Sequence, residues 1–234
     1  MPIRSGSRSM SARRTSARIA CALIAAGSIA LAQAQERINV EDLRVRAESG
    51  ERGATRELAE AYYLGRGGVP QDFKEAFRWY LRLARQGDAR AQTSVGLMYA
   101  RGYGVEKSVA SAQKWWSYAA AQNEAGAQFN LGMMYSGVEG VAPDYPQAVH
   151  WYTQAANRGH VQAQHNLGML YHEGKGVARD PVRAYFWVGV AALQGDDVAR
   201  GMLEALRSGM SMEQIRAAER QSAEWAKKPG KPPR

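Results

Sequence analysis

The 234-residue chain has one cysteine, Cys21, and it lies in a leader described below, so no disulfide can staple the rest. No apolar run reaches the roughly 20 residues a membrane-spanning helix needs. The longest, Ile19 to Ala32, has 14. No HExxH and no paired-Cys motif occurs, and the four histidines fall at spacings a single metal cannot use. His165 and His172 are seven apart, two helical turns or about 10 Å, which is too far for shared ligation. No metal and no cofactor is therefore expected.

Acid is missing from residues 1–34, which carry five arginines (Arg4, Arg8, Arg13, Arg14, Arg18), then the apolar run, then Ala32-Gln33-Ala34. A basic start, a short apolar centre and small residues at a cleavage position read as an export signal cut near Ala34. Met10 is an alternative start, and Arg13-Arg14 leaves the twin-arginine route open beside the general one. The expected location is the periplasm. Net charge is +9, but of the 31 Lys and Arg, five lie in the leader and four in the last eight residues, leaving 22 against 22 acids in between. A neutral body lacks the basic face that nucleic acid requires. The tail, 227–234, is basic and Pro-rich; it is expected to be disordered, with at most a weak contact to anionic envelope polymers.

What the body does contain is repetition. Residues 163–195 read as a helix hairpin: Ala163, Leu167, Leu170 and Tyr171 form one stripe, Gly174 and Gly176 allow a reversal, Asp180-Pro181 opens a second helix, and Gly195 closes it. Shifts of 36, 36 and 37 residues land on Ala127, Ala91 and Ala54 with Tyr171 over Tyr135, Tyr99 and Tyr62. Four units follow: 54–90, 91–126, 127–162 and 163–198. A period of this length with two amphipathic helices per unit marks an α-solenoid. A lone helix within 35–53 would cap one end. Helices within 199–226 would cap the other, the last opened by the capping box Ser211-Met212-Glu213-Gln214.

Leu167-Gly168, Tyr171, Gly174-Lys175-Gly176-Val177, Asp180, Ala184, Trp187, Ala191-Ala192 and Gly195, with their counterparts in the other units, resemble the Sel-one-like repeat (SLR) family of the tetratricopeptide-like superfamily. The departures are small: Ser108 for the Asp cap, Val138 for a loop Gly, and Asn123 for the closing Gly. The resemblance implies an all-α, right-handed α-α superhelix whose first helices line a concave face. Counting each first Ala as position 1, positions 1, 5, 8, 9 and 12 are the expected core. Gly at position 6 lets a neighbouring helix approach, and the recurring Trp79, Trp115 or Trp116, Trp151 and Trp187 fill space over small residues.

Positions 3, 7 and 10 form the candidate groove. Its residues are Arg56, Glu60, Leu97, Phe129, Met133, His165, Met169 and His172, with Asn130 and Asn166 at position 4 beside them. An apolar centre with Met suits a protein or peptide partner. Alternatively, these side chains pack on adjoining helices, and each Asn satisfies a carbonyl of its own fold. The resemblance implies a non-enzymatic envelope adaptor or regulator. A second class comes from cysteine-rich relatives described as β-lactamase-like: Ser111-Ala112-Gln113-Lys114 fits S-x-x-K, which raises a cell-wall or β-lactam hydrolase, but S-D-N and K-T-G are missing.

Overall fold

The computed structural model describes residues 39–138 and 140–227. The predicted signal peptide and all of the basic tail beyond Lys227 lie outside them. Among the described residues there are eleven helices and no strand. They fall into two compact units, one ending at Gln71 and the other starting at Asp72.

In the first unit, α1 (Val40–Glu48) packs on α2 (Arg52–Leu64) and buries Leu43 and Ala47. Asn39 caps α1 by accepting from the Asp42 amide at 3.1 Å. Arg44 reaches across to donate to the Tyr62 hydroxyl at 2.8 Å, which pins the pair.

The second unit runs α3 (Phe73–Arg85), α4 (Ala89–Arg101), α5 (Val109–Ala121), α6 (Ala125–Tyr135), α7 (Tyr145–Asn157), α8 (Val161–Glu173), α9 (Pro181–Leu193), α10 (Asp197–Leu206) and α11 (Met212–Lys227). From α3 to α10 each helix packs on its chain neighbour. Three hairpins, α4–α5, α6–α7 and α8–α9, are closed in the same way. The amide of each second-helix cap (Ser108, Asp144, Asp180) donates to the carbonyl of the position 9 tyrosine (Tyr99, Tyr135, Tyr171) at 2.8–3.0 Å. The cap side chain then accepts from the first turn, which would otherwise leave its donors unpaired.

Position 6 sets the distance between the two helices of a hairpin. A Cβ on Gly96 would lie 2.5 Å from the Trp116 ring, one on Gly132 2.5 Å from Tyr152, and one on Gly168 2.6 Å from Val188. The residue over the glycine is thus Trp116, Tyr152 and Val188, one place after the aligned Trp115, Trp151 and Trp187, and the glycine belongs to its own hairpin. Of that aligned column, Trp79 and Trp187 are buried, while Trp115 and Trp151 are half-buried. Trp151 packs on the α5 cluster around Trp116 and Ala119. Position 12 is not core either. It holds Gly102 and Gly174 in the left-handed conformation that ends α4 and α8, and Val138, which is 56% exposed.

A glutamine at position 2 stitches successive repeats. Gln92, Gln128 and Gln164 are buried and donate to Ala84, Ala120 and Ala156 carbonyls at 3.1–3.3 Å. Gln92 and Gln164 also accept from Gln122 and Gln194. Gln128 Oε1 has no partner, because Arg158 stands where those glutamines stand and bonds Asn123 and Gln154 instead.

At the C-terminus the pattern stops. Position 6 of α10 is Glu204, whose side chain is 84% exposed. No second helix could close over such a residue as one closes over glycine. Instead α11 packs on α9, where Ser222 Oγ donates to the Phe186 carbonyl, Glu219 accepts from Tyr185, and Trp225 meets Trp187 edge-on. Every residue from Ala184 to Ala192 is buried in consequence. Ser211 and Gln214 form the reciprocal capping box that opens α11.

Gly132→Ala is expected to cost about 1–3 kcal/mol by overpacking. Gly201→Ala, in a helix with open space around the new methyl, should be stabilising by about 0.5–1 kcal/mol. Arg158→Gln should satisfy Gln128 and raise stability by about 1 kcal/mol. Urea midpoints at constant slope check all three, and a destabilised Arg158→Gln would refute the stitching role.

Candidate functional site

Arg56 and Glu60 sit half-buried on α2 in the first unit, where Glu60 lies 3.9 Å from Arg66. The remaining candidates are in the second unit: Leu97 on α4, Phe129, Asn130 and Met133 on α6, and His165, Asn166, Met169 and His172 on α8. All eight are half-buried. Phe129 and Met133 pack against the core cluster of the C-terminal repeats. Ala100, at position 10 of α4, is fully buried. The stripe is therefore a seam whose side chains divide between neighbours and solvent.

What organises the seam is a column of helix caps that sequence inspection passed over. In the second unit the residue before each first helix accepts from the amide three places on: Asp88 from Ala91 at 2.9 Å, Glu124 from Ala127 at 2.6 Å, His160 from Ala163 at 3.3 Å and Asp196 from Ala199 at 2.9 Å. Glu124, His160 and Asp196 also meet position 3 of the preceding repeat. Thr93 donates to Glu124 at 2.8 Å, Phe129 stacks on His160 with centroids 4.4 Å apart, and His165 Nδ1–H donates to Asp196 at 3.1 Å. Each of these junctions has its own chemistry: a hydroxyl–carboxylate bond, a ring stack and an imidazole–carboxylate bond. The signal available in sequence was the recurrence of Asp88, Glu124, His160 and Asp196 at one register, three residues before the repeat alanine.

At the last junction the seam opens into a cleft of about 590 Å³ between the N-terminal turns of α8 and α10. His165 and Asn166 line it, with Gln162, Gln194, Asp196 and Asp197 as further polar groups and Val161 and Val198 at its edges. Met169 and His172 do not. Asn166 Nδ2 donates to the Tyr152 hydroxyl at 3.1 Å, so one half of its amide serves the fold. Burial raises the Tyr152 phenol, outweighing the Ser136 and Asn166 hydrogen bonds that favour a phenolate. For Asp196, burial opposes ionisation, but the Ala199 amide, His165 and the Val198 amide together hold its carboxyl below the usual carboxylate value.

Ser111, the nucleophile of the hydrolase alternative, belongs to the cap of α5. Its hydroxyl accepts from Ser108 Oγ at 2.9 Å, its amide donates back to the same oxygen, and Lys114 is exposed. Among the described residues no group of three or more His, Cys, Asp or Glu could hold a metal, and no helix is long and apolar enough to cross a membrane.

Stacked helix hairpins joined by capped first helices, with amides and carboxylates gathered at one end of the seam, define a helical repeat protein. The Sel1 repeat model matches residues 53–88, 89–124, 125–160 and 161–196, and the chain belongs to that family. No curated protein matches it. Among solved structures it is similar to c5321, a protective antigen of uropathogenic Escherichia coli strains displaying an SLR fold. Identity is 34%, the TM-score is 0.74, and the match covers 82% of this chain and 41% of that one. It is also similar to a Sel1 repeat protein from Oxalobacter formigenes, at 35% identity and TM-score 0.62, over 71% of this chain and 48% of that one. The chain thus matches less than half the length of either.

Asp196→Ala removes a cap and the partner of His165, and is expected to cost about 1–2 kcal/mol near neutral pH. Because the Asp196 carboxyl is held low in the folded state, its contribution is complete above the unfolded value of about 3.9 and is lost as pH falls through the folded one. Wild type and variant should converge in melting temperature only at strongly acid pH.

Proposed function

We propose that this chain is an exported, non-enzymatic scaffold of the bacterial envelope, working in the periplasm, that holds a protein or peptide partner along its first-helix seam. Sel1 repeats are typical of protein-protein interaction, and the arginine-rich, acid-free residues 1–34 support export. The observation that carries the binding site is the terminal cleft. Its amides can pair with a partner's main chain, its carboxylates favour a cationic side chain, and its two valines cover apolar atoms.

A photocrosslinking amino acid placed at Val198, 67% exposed at the cleft edge, should capture one partner in cells; the same probe at Lys114 on α5 should not. Gln162→Arg should abolish that capture while the melting temperature stays within about 1 °C, since surface changes are usually close to neutral. Equal capture from both positions, or capture indifferent to Gln162→Arg, would remove the cleft from the mechanism. In the same cells, a mature N-terminus near residue 35 in the periplasmic fraction is the expected mark of export.

A further inference from the structure

One of the four first-helix caps of the second unit is of a different chemical kind. Asp88, Glu124 and Asp196 present carboxylates, which suit the positive end of a helix. His160 presents an imidazole. Its Nδ1 accepts from the Ala163 amide at 3.3 Å, the longest of the four, so the ring must be neutral with its proton on Nε2. The same ring lies nearly parallel to Phe129, at 17° and 4.4 Å, and covers that side chain at the junction between the third and fourth repeats.

We propose that His160 is a proton-operated latch on the first-helix seam: taking up a proton uncaps α8, lifts the imidazole from Phe129, and opens at this junction a cleft like the one lined by His165 and Asp196. The inference rests on the seam being the partner surface, though the latch itself does not need a partner to work.

Protonation puts a hydrogen on Nδ1, which then faces the Ala163 N–H as a second donor. It also places a positive charge at the positive end of the α8 dipole, where cations are unfavourable. Neither problem is solved in place, whereas rotation to solvent solves both and leaves Phe129 uncovered. The groups facing the ring are few. Glu124, the α6 cap, favours the cation, but its carboxylate is already engaged by the Ala127 amide and Thr93. Tyr152 on α7 meets Phe129 at 5.9 Å, and its hydroxyl contacts Ser136 and Asn166. Arg158, two residues before the ring, is exposed and bonded to Asn123 and Gln154. Burial outweighs the attraction of Glu124 and holds the imidazole below its ordinary value. The unfolded chain therefore takes the proton first, at about 6.5. The cap's stability is present above that pH and is lost as pH falls through the folded value.

The test uses the mature chain alone. The His160 Cε1–H resonance should titrate below 6.5. Between about pH 7.5 and 5, protection of the Ala163 amide from hydrogen exchange should fall roughly five- to tenfold, after correction for intrinsic rates. His160→Asp, an acid cap like the other three, should keep Ala163 protected and remove one histidine's share of the pH slope of melting. If that variant does not fold, His160→Asn supplies a neutral acceptor for the same comparison. Titration of His160 at or above 6.5, or an unchanged pH slope in the folded variant, would overturn the latch. Since no readout involves a partner, failure of the Val198 capture leaves this result standing, and the reverse also holds.

Discussion

The spacing inside each of the hairpins α4–α5, α6–α7 and α8–α9 is set by a missing side chain. At position 6 of the first helix, glycine lets Trp116, Tyr152 or Val188 descend onto the opposing backbone, and a methyl there would lie 2.5–2.6 Å from those side chains, so that something must shift. Once that distance is fixed, the alanine-rich faces can interlock. The second-helix cap can then reach the tyrosine carbonyl of position 9, and the position 2 glutamine can span to the previous repeat. The end of the array obeys the same constraint. With Glu204 in that place α10 cannot be closed over, and the small-residue meeting of Gly189 with Ser222 brings α11 onto α9 instead.

The junctions between repeats are a separate layer of construction. Hairpins are built from contacts inside one repeat. The junctions join residues about 31 apart, and each uses a different pair of side chains laid on one shared backbone register. This division lets one seam contain a carboxylate, an aromatic stack and an imidazole without any change to the hairpins that carry them. It also explains the unequal quality of the joints. Gln128 keeps its bond to Ala120 yet loses the one its counterparts make, through a substitution in the following helix.

Much of the fold was legible because its determinants are local. The stripe of Ala163, Leu167 and Leu170, the Asp and Ser caps, Asn123 in the left-handed conformation at φ 65°, and the Ser211–Gln214 box each act within a few residues. The tryptophan assignment slipped by one place because alignment finds the most regular column, while packing selects the residue that faces the glycine. Of the groove, the helix faces were legible but the exposure was not. Phe129 and Met133 sit half-covered by neighbours whose approach depends on superhelical packing. The caps at 124, 160 and 196 went unread as junction residues because their partners lie a repeat away, and no short pattern reports a contact at that distance.

The glycine loops tie the stack together in two places and leave it untied in a third. Gly104 lies against the backbone of Phe73 and Lys74, and Gly176 against that of Tyr145 and Pro146, so each of those loops is clamped to the first turn of an earlier helix, α3 or α7. Gly140 has open space where a side chain would go, and α6 ends two residues earlier than α4 and α8 relative to its repeat. Of these three loops, the one at Gly140 is where the described contacts leave most room for chain length to vary. A graft of foreign sequence there would leave the stack undisturbed, while the same graft at either clamped loop would pry two hairpins apart.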